Sequence, residues 1–435
     1  MTADTDRKWW YNIMNKLPKI FCPLMIGMLA AIAAVLFQPV TWGGAAEPSD
    51  EVTLQQALEH FYQHNYDILI NKYQIDKAAA DVMGAKLLPN PNLSISYTGL
   101  EAKRSLTTGE FTEQAYRIDQ LIELSGKRAL RTSAAQENLE ATRLFHQDLI
   151  RGILVGFYSL YFAIHQDMLA LALNEYELQS FDRILSVAEK RYSAGFLSLV
   201  DYSKLKVTRT ELENNVLNAQ NQLKLDTEQF RLLLGIDGPI RLAAAQLQKT
   251  LPDYPEAELI ERAYQNRKDL LALQRQLKSS EFNVSLAKAY RIPDITVGAE
   301  FERWGSEREP GYGFGISVPI PLFNRNQAEI ARRSYEYKQN ELQIEKAKKQ
   351  IVGDVRQALQ NYLTARKVYE VYQKRKNDIE DLRERSEKSF ALGGITVLDL
   401  LDTQKMHREF INKYNQAGVQ GSLNHELLRV YTGER

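Results

Sequence analysis

Cysteine is almost missing from this chain. The single residue of that type among 435, Cys22, lies inside an N-terminal apolar run. If that run is removed on export, the rest can form neither a disulfide nor a thiolate metal site. A basic excess is missing too. Lysine and arginine (55) balance aspartate and glutamate (55), which argues against a nucleic-acid binder. Metal-binding side chains are thinly spread, with no Cys/His cluster and only Met83, Met168 and Met406 beyond the apolar run. His60 and His64 are four apart, a spacing that can present two ligands on one helix face. A solvated helix face is the plainer account, and no metal site is expected. No nucleophile–base motif or nucleotide fingerprint appears. Gly311–Gly315 (GYGFG) is glycine-rich, but it lies inside an alternating segment and no helix start follows it. No catalytic residue and no cofactor is therefore expected, and the chain is not read as an enzyme.

What is present begins with a leader. Arg7, Lys8, Lys16 and Lys19 precede the apolar stretch Ile20–Phe37, and small residues Gly43, Gly44, Ala45 and Ala46 follow it. That order is that of a secretory signal, with cleavage expected near Ala46. An uncleaved anchor is the rival reading, because a stretch of about 18 residues can just span a bilayer.

The remainder repeats itself. Pro91–Tyr97 resembles Pro293–Ala299 at an offset of 202 residues, and Gln120–Ser125 stands opposite Pro319–Asn324 at 199. Tyr192–Gly195 with Asp201 matches Phe390–Gly393 with Asp399 at 198, and Leu234–Gly235 matches Thr432–Gly433 at the same offset. Four landmarks in one order define two repeats. The division is residues 1–46 as signal peptide, 47–252 as first repeat and 253–435 as second.

Each repeat opens on a helical stretch of about 36 residues, Thr53–Leu88 and Ala257–Arg291. Two short alternating segments follow around a polar loop. Then come very long helical stretches, Lys127–Tyr192 and Asn326–Phe390, without proline. A glycine turn leads to a last stretch, Leu199–Leu234 and Val397–Tyr431. In the second long stretch Ile351, Val355, Leu359, Tyr362, Tyr369, Tyr372, Ile379 and Leu382 keep a spacing close to a coiled-coil seam. At about 1.5 Å per residue such a helix reaches roughly 100 Å. Two shorter helices end to end nearly match it.

The alternating segments predict four strands, near 92–98, 113–122, 294–301 and 312–320. Leu93, Ile95 and Tyr97 alternate with Asn92, Ser94 and Ser96; Tyr312, Phe314, Ile316 and Val318 alternate with Gly313, Gly315 and Ser317. Period-two alternation puts one set on each face. A membrane barrel with lipid outside and water inside gives this pattern, and so does a half-buried soluble sheet. If the strands enter a membrane, four are too few, since single-chain bacterial barrels start at about eight and open edges in lipid are very costly. Several copies would then share one barrel. Polar loops Gly99–Thr112 and Glu302–Gly311 would face outward, with Trp304 and Tyr312 either at the lipid boundary or packed in a soluble sheet.

Leu88–Pro91 (LPNP), Gln120–Arg128 (QLIELSGKR), Arg191–Gly195 (RYSAG) with Asp201, and Phe390–Leu401 (FALGGITVLDLL) together resemble the TolC family of outer-membrane efflux proteins, over about Val52 to Gly433. Val318–Ile330 (VPIPLFNRNQAEI) is similar to the branch that exports cobalt, zinc, cadmium or related cations. The resemblance implies a mainly α fold with a membrane β-barrel: a homotrimer whose twelve strands close one barrel and whose antiparallel helical hairpins form a periplasmic tunnel. It implies a passive exit duct in the cell outer membrane, served by a periplasmic membrane-fusion adaptor and an inner-membrane proton-driven pump. A duct for drug efflux or type I protein secretion fits the same features; a non-inserted periplasmic coiled-coil scaffold is the alternative of another class.

By the same resemblance, Gly195, Gly393 and Gly394 become the periplasmic tips, where an adaptor docks. Asp399 and Asp402 lie three apart on one helix face, and in a trimer each becomes a ring of three carboxylates at the pore entrance. Such rings attract cations. Asp201 is the third candidate, although at a helix start it also complements the N-terminal dipole. Relatives with an arginine-latched entrance carry that arginine about two residues after the second-repeat glycine, which is Gly393 here. Here the place holds Ile395, so a latch of that type is not carried over.

Overall fold

A computed structural model of the chain describes residues 51–98, 113–244, 253–303 and 310–434. The expected signal peptide, Trp304 and most of both polar loops lie outside the described residues. In chain order the elements are α1 (Leu54–His64), α2 (Tyr66–Lys86), β1 (Asn92–Thr98), β2 (Glu113–Ile122), α3 (Lys127–Ser193) and α4 (Leu199–Leu234). The second half repeats the plan with α5 (Glu256–Asn266), α6 (Lys268–Ala289), β3 (Ile295–Arg303), β4 (Gly311–Ser317), α7 (Gln327–Leu392) and α8 (Val397–Tyr431).

The long helices α3 and α7 hold 67 and 66 residues. Both start from a left-handed residue just after the strand region, Gly126 (φ 69°) and Asn326 (φ 58°). Shorter helices flank them. On the sheet side α2 packs on α3, and α6 lies between α3 and α7; on the far side α4 packs on α3, and α8 lies between α3 and α7.

Each expected 36-residue opening helix is in fact two helices. The break falls at Asn65 and at Arg267, both in extended backbone, with ψ of 121° and 119°. The amphipathic pattern is strong in α1 and α5 and fades in α2 and α6, but helical residue types run on across the break without proline or glycine. The physical reason lies in the partner helix. At Asn65 the side-chain oxygen caps α2 by accepting from the Ile68 N–H (3.1 Å), and its amide donates to the Leu233 carbonyl near the end of α4 (2.8 Å). Gly235 (φ 67°) follows α4 and presses on the same break: a Cβ there would sit 2.5 Å from the His64 carbonyl oxygen. Gly433 (φ 75°) does the same in the second half, 3.1 Å from the Asn266 carbonyl carbon and 3.2 Å from the Arg267 nitrogen. The repeated Gly235/Gly433 landmark thus marks where one helix end abuts a broken helix.

Burial gathers in three places. The first, beside the Asn65 break and called here the first equator, packs Phe61, Leu154, Phe157, Tyr158, Phe230 and Leu234. The second packs Leu259, Ala263, Ile351, Val355, Tyr362 and Leu428. A third cluster near the helical tips holds Phe181, Ile184, Leu205, Phe390, Val397 and Leu400. Among the described residues α3 is the one helix long and apolar enough to cross a membrane, yet its aromatic run Phe157–Phe162 includes the centre of the first equatorial core.

The four strands form one antiparallel sheet, ordered β1-β2-β3-β4. Register places Ile95 beside Tyr116, Tyr116 beside Phe301, and Phe301 beside Tyr312. On the opposite face Ser94, Arg117, Glu300 and Gly313 stand in line. β4 ends at Ser317 rather than near 320, because Pro319 and Pro321 cannot donate to a ladder. β3 runs on to Arg303, into the expected Glu302–Gly311 loop.

Candidate functional site

Among the described residues nothing from its own chain covers the sheet. Among the described residues no helix makes more than marginal contact with it, and Phe314 is 90% exposed on the apolar face. A soluble half-buried sheet would hide that face, so the alternative left open by alternation falls to the membrane reading. The other face is polar. Arg117 pairs with Asp119 (2.9 Å) and with Glu300 (3.4 Å), and Thr98 donates to Glu113 (2.6 Å). The guanidinium lies beside Gly298 of β3 and reaches towards Gly315 of β4; a Cβ at Gly298 would come 2.2 Å from Asp119 Oδ1 and 3.2 Å from the guanidinium, whereas one at Gly315 would make ordinary contact at 3.5 Å. Edges β1 and β4 have no partner strand among the described residues.

Where sheet meets helices, Lys127 is buried at the start of α3. Its Nζ donates to Asp294 Oδ1 and to the Ile292 carbonyl, both at 2.7 Å, and stands 4.9 Å from the centre of the Tyr290 ring. Asp294 also accepts from the Leu124 N–H (2.9 Å). One ion pair therefore fixes both halves of the repeat at the root of the sheet. Sequence reading quoted Lys127 within a motif but gave it no role.

At the far end α3 turns into α4 and α7 into α8. Gly195 (φ 79°) and Gly393 (φ 82°) take the left-handed conformation at these reversals, which glycine adopts cheaply. Their N–H groups donate to the Tyr192 and Phe390 carbonyls at 2.9 and 3.0 Å. Gly394 has no positive φ, and a Cβ there would come no nearer than 3.5 Å to the Ser389 oxygen. That position does not demand glycine.

Asp201 and Asp399 occupy the same local site in the two repeats. Ser198 Oγ donates to Asp201 Oδ2 (2.8 Å), and the Asp201 N–H donates back to Ser198 Oγ (3.0 Å). Thr396 donates to Asp399 through both its hydroxyl (2.6 Å) and its N–H (3.1 Å), completing a capping box. The Ser198 hydrogen bond, then Lys204, hold the Asp201 carboxyl below the usual aspartate range. The Thr396 hydrogen bonds do the same for Asp399. Asp402 differs: it is exposed, with no hydrogen bond or ion pair among the described residues.

The turns are also joined to each other. Arg191, just before the first turn, donates from Nη1 to the Phe390 carbonyl (2.6 Å) and lies 4.9 Å from the Phe390 ring centre. A cation against the last carbonyls of a helix is favoured by the helix dipole. Nothing in the spacing of Arg191 from Gly195 reveals a partner 199 residues away. His60 and His64 do share a face, rings 5.6 Å apart, on the exposed side of α1. Among the described residues no group of three metal-capable side chains converges.

A family model described as "Outer membrane efflux protein" matches residues 54–236 and 259–431. The chain is 25% identical to the cobalt-zinc-cadmium resistance protein CzcC of Cupriavidus metallidurans, over 65% of this chain and 66% of that protein. It is 26% identical to the pyoverdine export outer membrane protein OpmQ of Pseudomonas putida, over 84% of this chain and 81% of the relative. Among solved structures the fold matches CusC with a TM-score of 0.74 at 17% identity, covering 87% of this chain and 91% of that one. It matches the open-state outer membrane channel MtrE of Neisseria gonorrhoeae with a TM-score of 0.66, also at 17% identity, covering 87% and 88%.

Proposed function

The chain belongs to the outer membrane efflux protein family, and from that premise we propose that three copies form one continuous duct that passes heavy-metal cations out of the cell. Family members are transport channels of the outer membrane whose helices reach into the periplasm. The observation that carries the reading for this chain is the sheet: one face apolar and bare, the other charged, both edges open. Backbone groups on such edges cannot stay unpaired in lipid. Pairing β4 of one copy with β1 of the next closes a barrel, and three copies supply twelve strands, within the range of outer-membrane barrels. The cobalt-zinc-cadmium and nickel-cobalt-cadmium resistance proteins among the relatives favour metal cations as cargo. Pump and adaptor sit below the tips and supply the driving force; this chain supplies the path.

The tips form the pore entrance. Asp399 and Asp201 serve first as helix caps, whereas the unengaged Asp402 is the stronger contributor to a ring of three carboxylates. Purified protein reconstituted into planar bilayers, with subunit mass measured alongside, tests the duct. A trimer with steady conductance is the expected result, and a detergent-free monomer without conductance would refute it. Asp402→Asn should reduce cation preference more than Asp399→Asn.

A further inference from the structure

Between the tip cluster and the equators lies a buried polar layer that the duct reading does not use. His407 of α8 is 1% exposed, and Glu177 of α3 is 2% exposed. His407 Nδ1 lies 2.8 Å from Glu177 Oε1, and Nε2 lies 3.1 Å from Glu380 Oε2 on α7. The two carboxylates sit on opposite nitrogens of one ring, so they do not converge as metal ligands. Around them Arg383 of α7 pairs with Glu387 (3.1 Å) and Glu380 (3.6 Å) and faces the Tyr176 ring of α3 at 5.1 Å. Gln404 of α8 and Ser180 of α3 both donate to Glu387, at 2.9 and 3.3 Å.

An ionised carboxylate only accepts hydrogen bonds, and a neutral imidazole has only one N–H. With Glu177 and Glu380 both ionised, the two bonds of His407 therefore exist together only while the ring carries two protons. In that state Glu177, Glu380 and Glu387 face His407 and Arg383, leaving one net negative charge in the layer. Loss of a ring proton raises this to two and turns one nitrogen lone pair toward a carboxylate. Glu177 is sealed in the interior, whereas Glu380 is 39% exposed and has water to turn to. The bond to α7 is thus the one that breaks. His407 lies ten residues into α8, about 15 Å from its start at the tip. The layer joins α3 of the first repeat to both helices of the second hairpin.

We propose that His407 is a proton-dependent clamp: doubly protonated it ties α3, α7 and α8 together above the entrance, and on losing a proton it drops its bond to α7 and loosens the second hairpin, which the Glu387 contacts still hold in register. The clamp is complete at lower pH and lost as pH rises. It rests on the duct reading only for its consequence at the entrance.

Amide hydrogen exchange of the intact oligomer, corrected for intrinsic rates, reads the clamp without any channel current. Exchange across residues 376–387 should rise several-fold through a one-proton step on raising the pH. Glu380→Ala, at a half-exposed position, should give fast exchange at every pH, whereas Glu380→Gln, whose amide can both accept from and donate to the ring, should stay slow at every pH; His407→Ala should match Glu380→Ala where that variant assembles. Planar-bilayer conductance of the same samples should follow the same step. An identical pH profile in wild type and Glu380→Ala overturns the clamp. A clear exchange step with no conductance in wild type keeps the clamp and refutes the duct.

Discussion

The two equators answer one geometric problem with different chemistry. In both, a helix is broken so that the end of another can abut it. The first break is neutral: Asn65 supplies one acceptor and one donor. Beside it Phe61, Phe157 and Phe230 pack with ring centres 5.1 and 5.2 Å apart. The second break is charged. Arg267 is buried between Asp269 (2.6 Å) and Asp354 of α7 (2.6 Å). At the repeat offsets Phe61 becomes Ala263 and Phe230 becomes Leu428, and Tyr254, Tyr362 and His425 pack nearby. Sequence repetition thus preserved backbone geometry while the stabilising interactions diverged. An aromatic core can tolerate a neutral cap, whereas a thinner core is accompanied by an ion pair between α6 and α7.

The largest test strikes what the halves share. Gly235→Ala forces both a left-handed φ and a collision with the His64 carbonyl, and should cost more than about 3 kcal/mol. Gly433→Ala meets looser contacts and should cost about half as much. Thermal unfolding of the purified oligomer ranks them; equal losses would mean that the two junctions are equally tight. Next, Phe230→Ala should cost about 3–5 kcal/mol. Leu428→Ala should fall toward the low end of its own range, about 2–3 kcal/mol, because the second core has fewer rings to leave unsupported.

The chemical difference gives smaller effects. Arg267→Met strands two partly exposed aspartates and should cost about 2–3 kcal/mol, below the figure for a fully buried pair. Asn65→Ala removes a cap and one hydrogen bond and should cost about 1–2 kcal/mol. The smallest effect separates the halves by pH. Burial works against the Asp269 charge, but the hydrogen bonds and charge of Arg267 outweigh it and hold its pKa below the ordinary value. A carboxylate depressed in the folded state stabilises above its unfolded pKa, and that stability is lost as pH falls through the folded value. Denaturant midpoints below about pH 4 should therefore decline more in wild type than in Arg267→Met. Parallel curves would remove the ion pair from the account.

Much of this was legible without coordinates because the periods are local. Proline-free runs and seam spacing placed α3 and α7 to within two residues, and alternation placed all four strands. The helix break at Arg267 was not legible, since arginine gives no cap signal; Asn65 is a favoured N-cap type that could have marked its break, but in both halves the end of another helix sets the turn. Asp201 and Asp399 were found by motif, but their engagement as caps needed Ser198 and Thr396 in place. Arg191 and His407 were passed over because their partners lie 199 and 230 residues away.

The sequence by itself determined the repeat and the element types, which are consequences of hydrophobic period, and made neighbouring copies necessary only if the strands enter a membrane. Tertiary structure alone decided that no described helix covers the apolar face of the sheet, where the short helices break, and which buried charges meet. Those depend on distances between residues far apart in the chain, and no spacing along the chain encodes such distances.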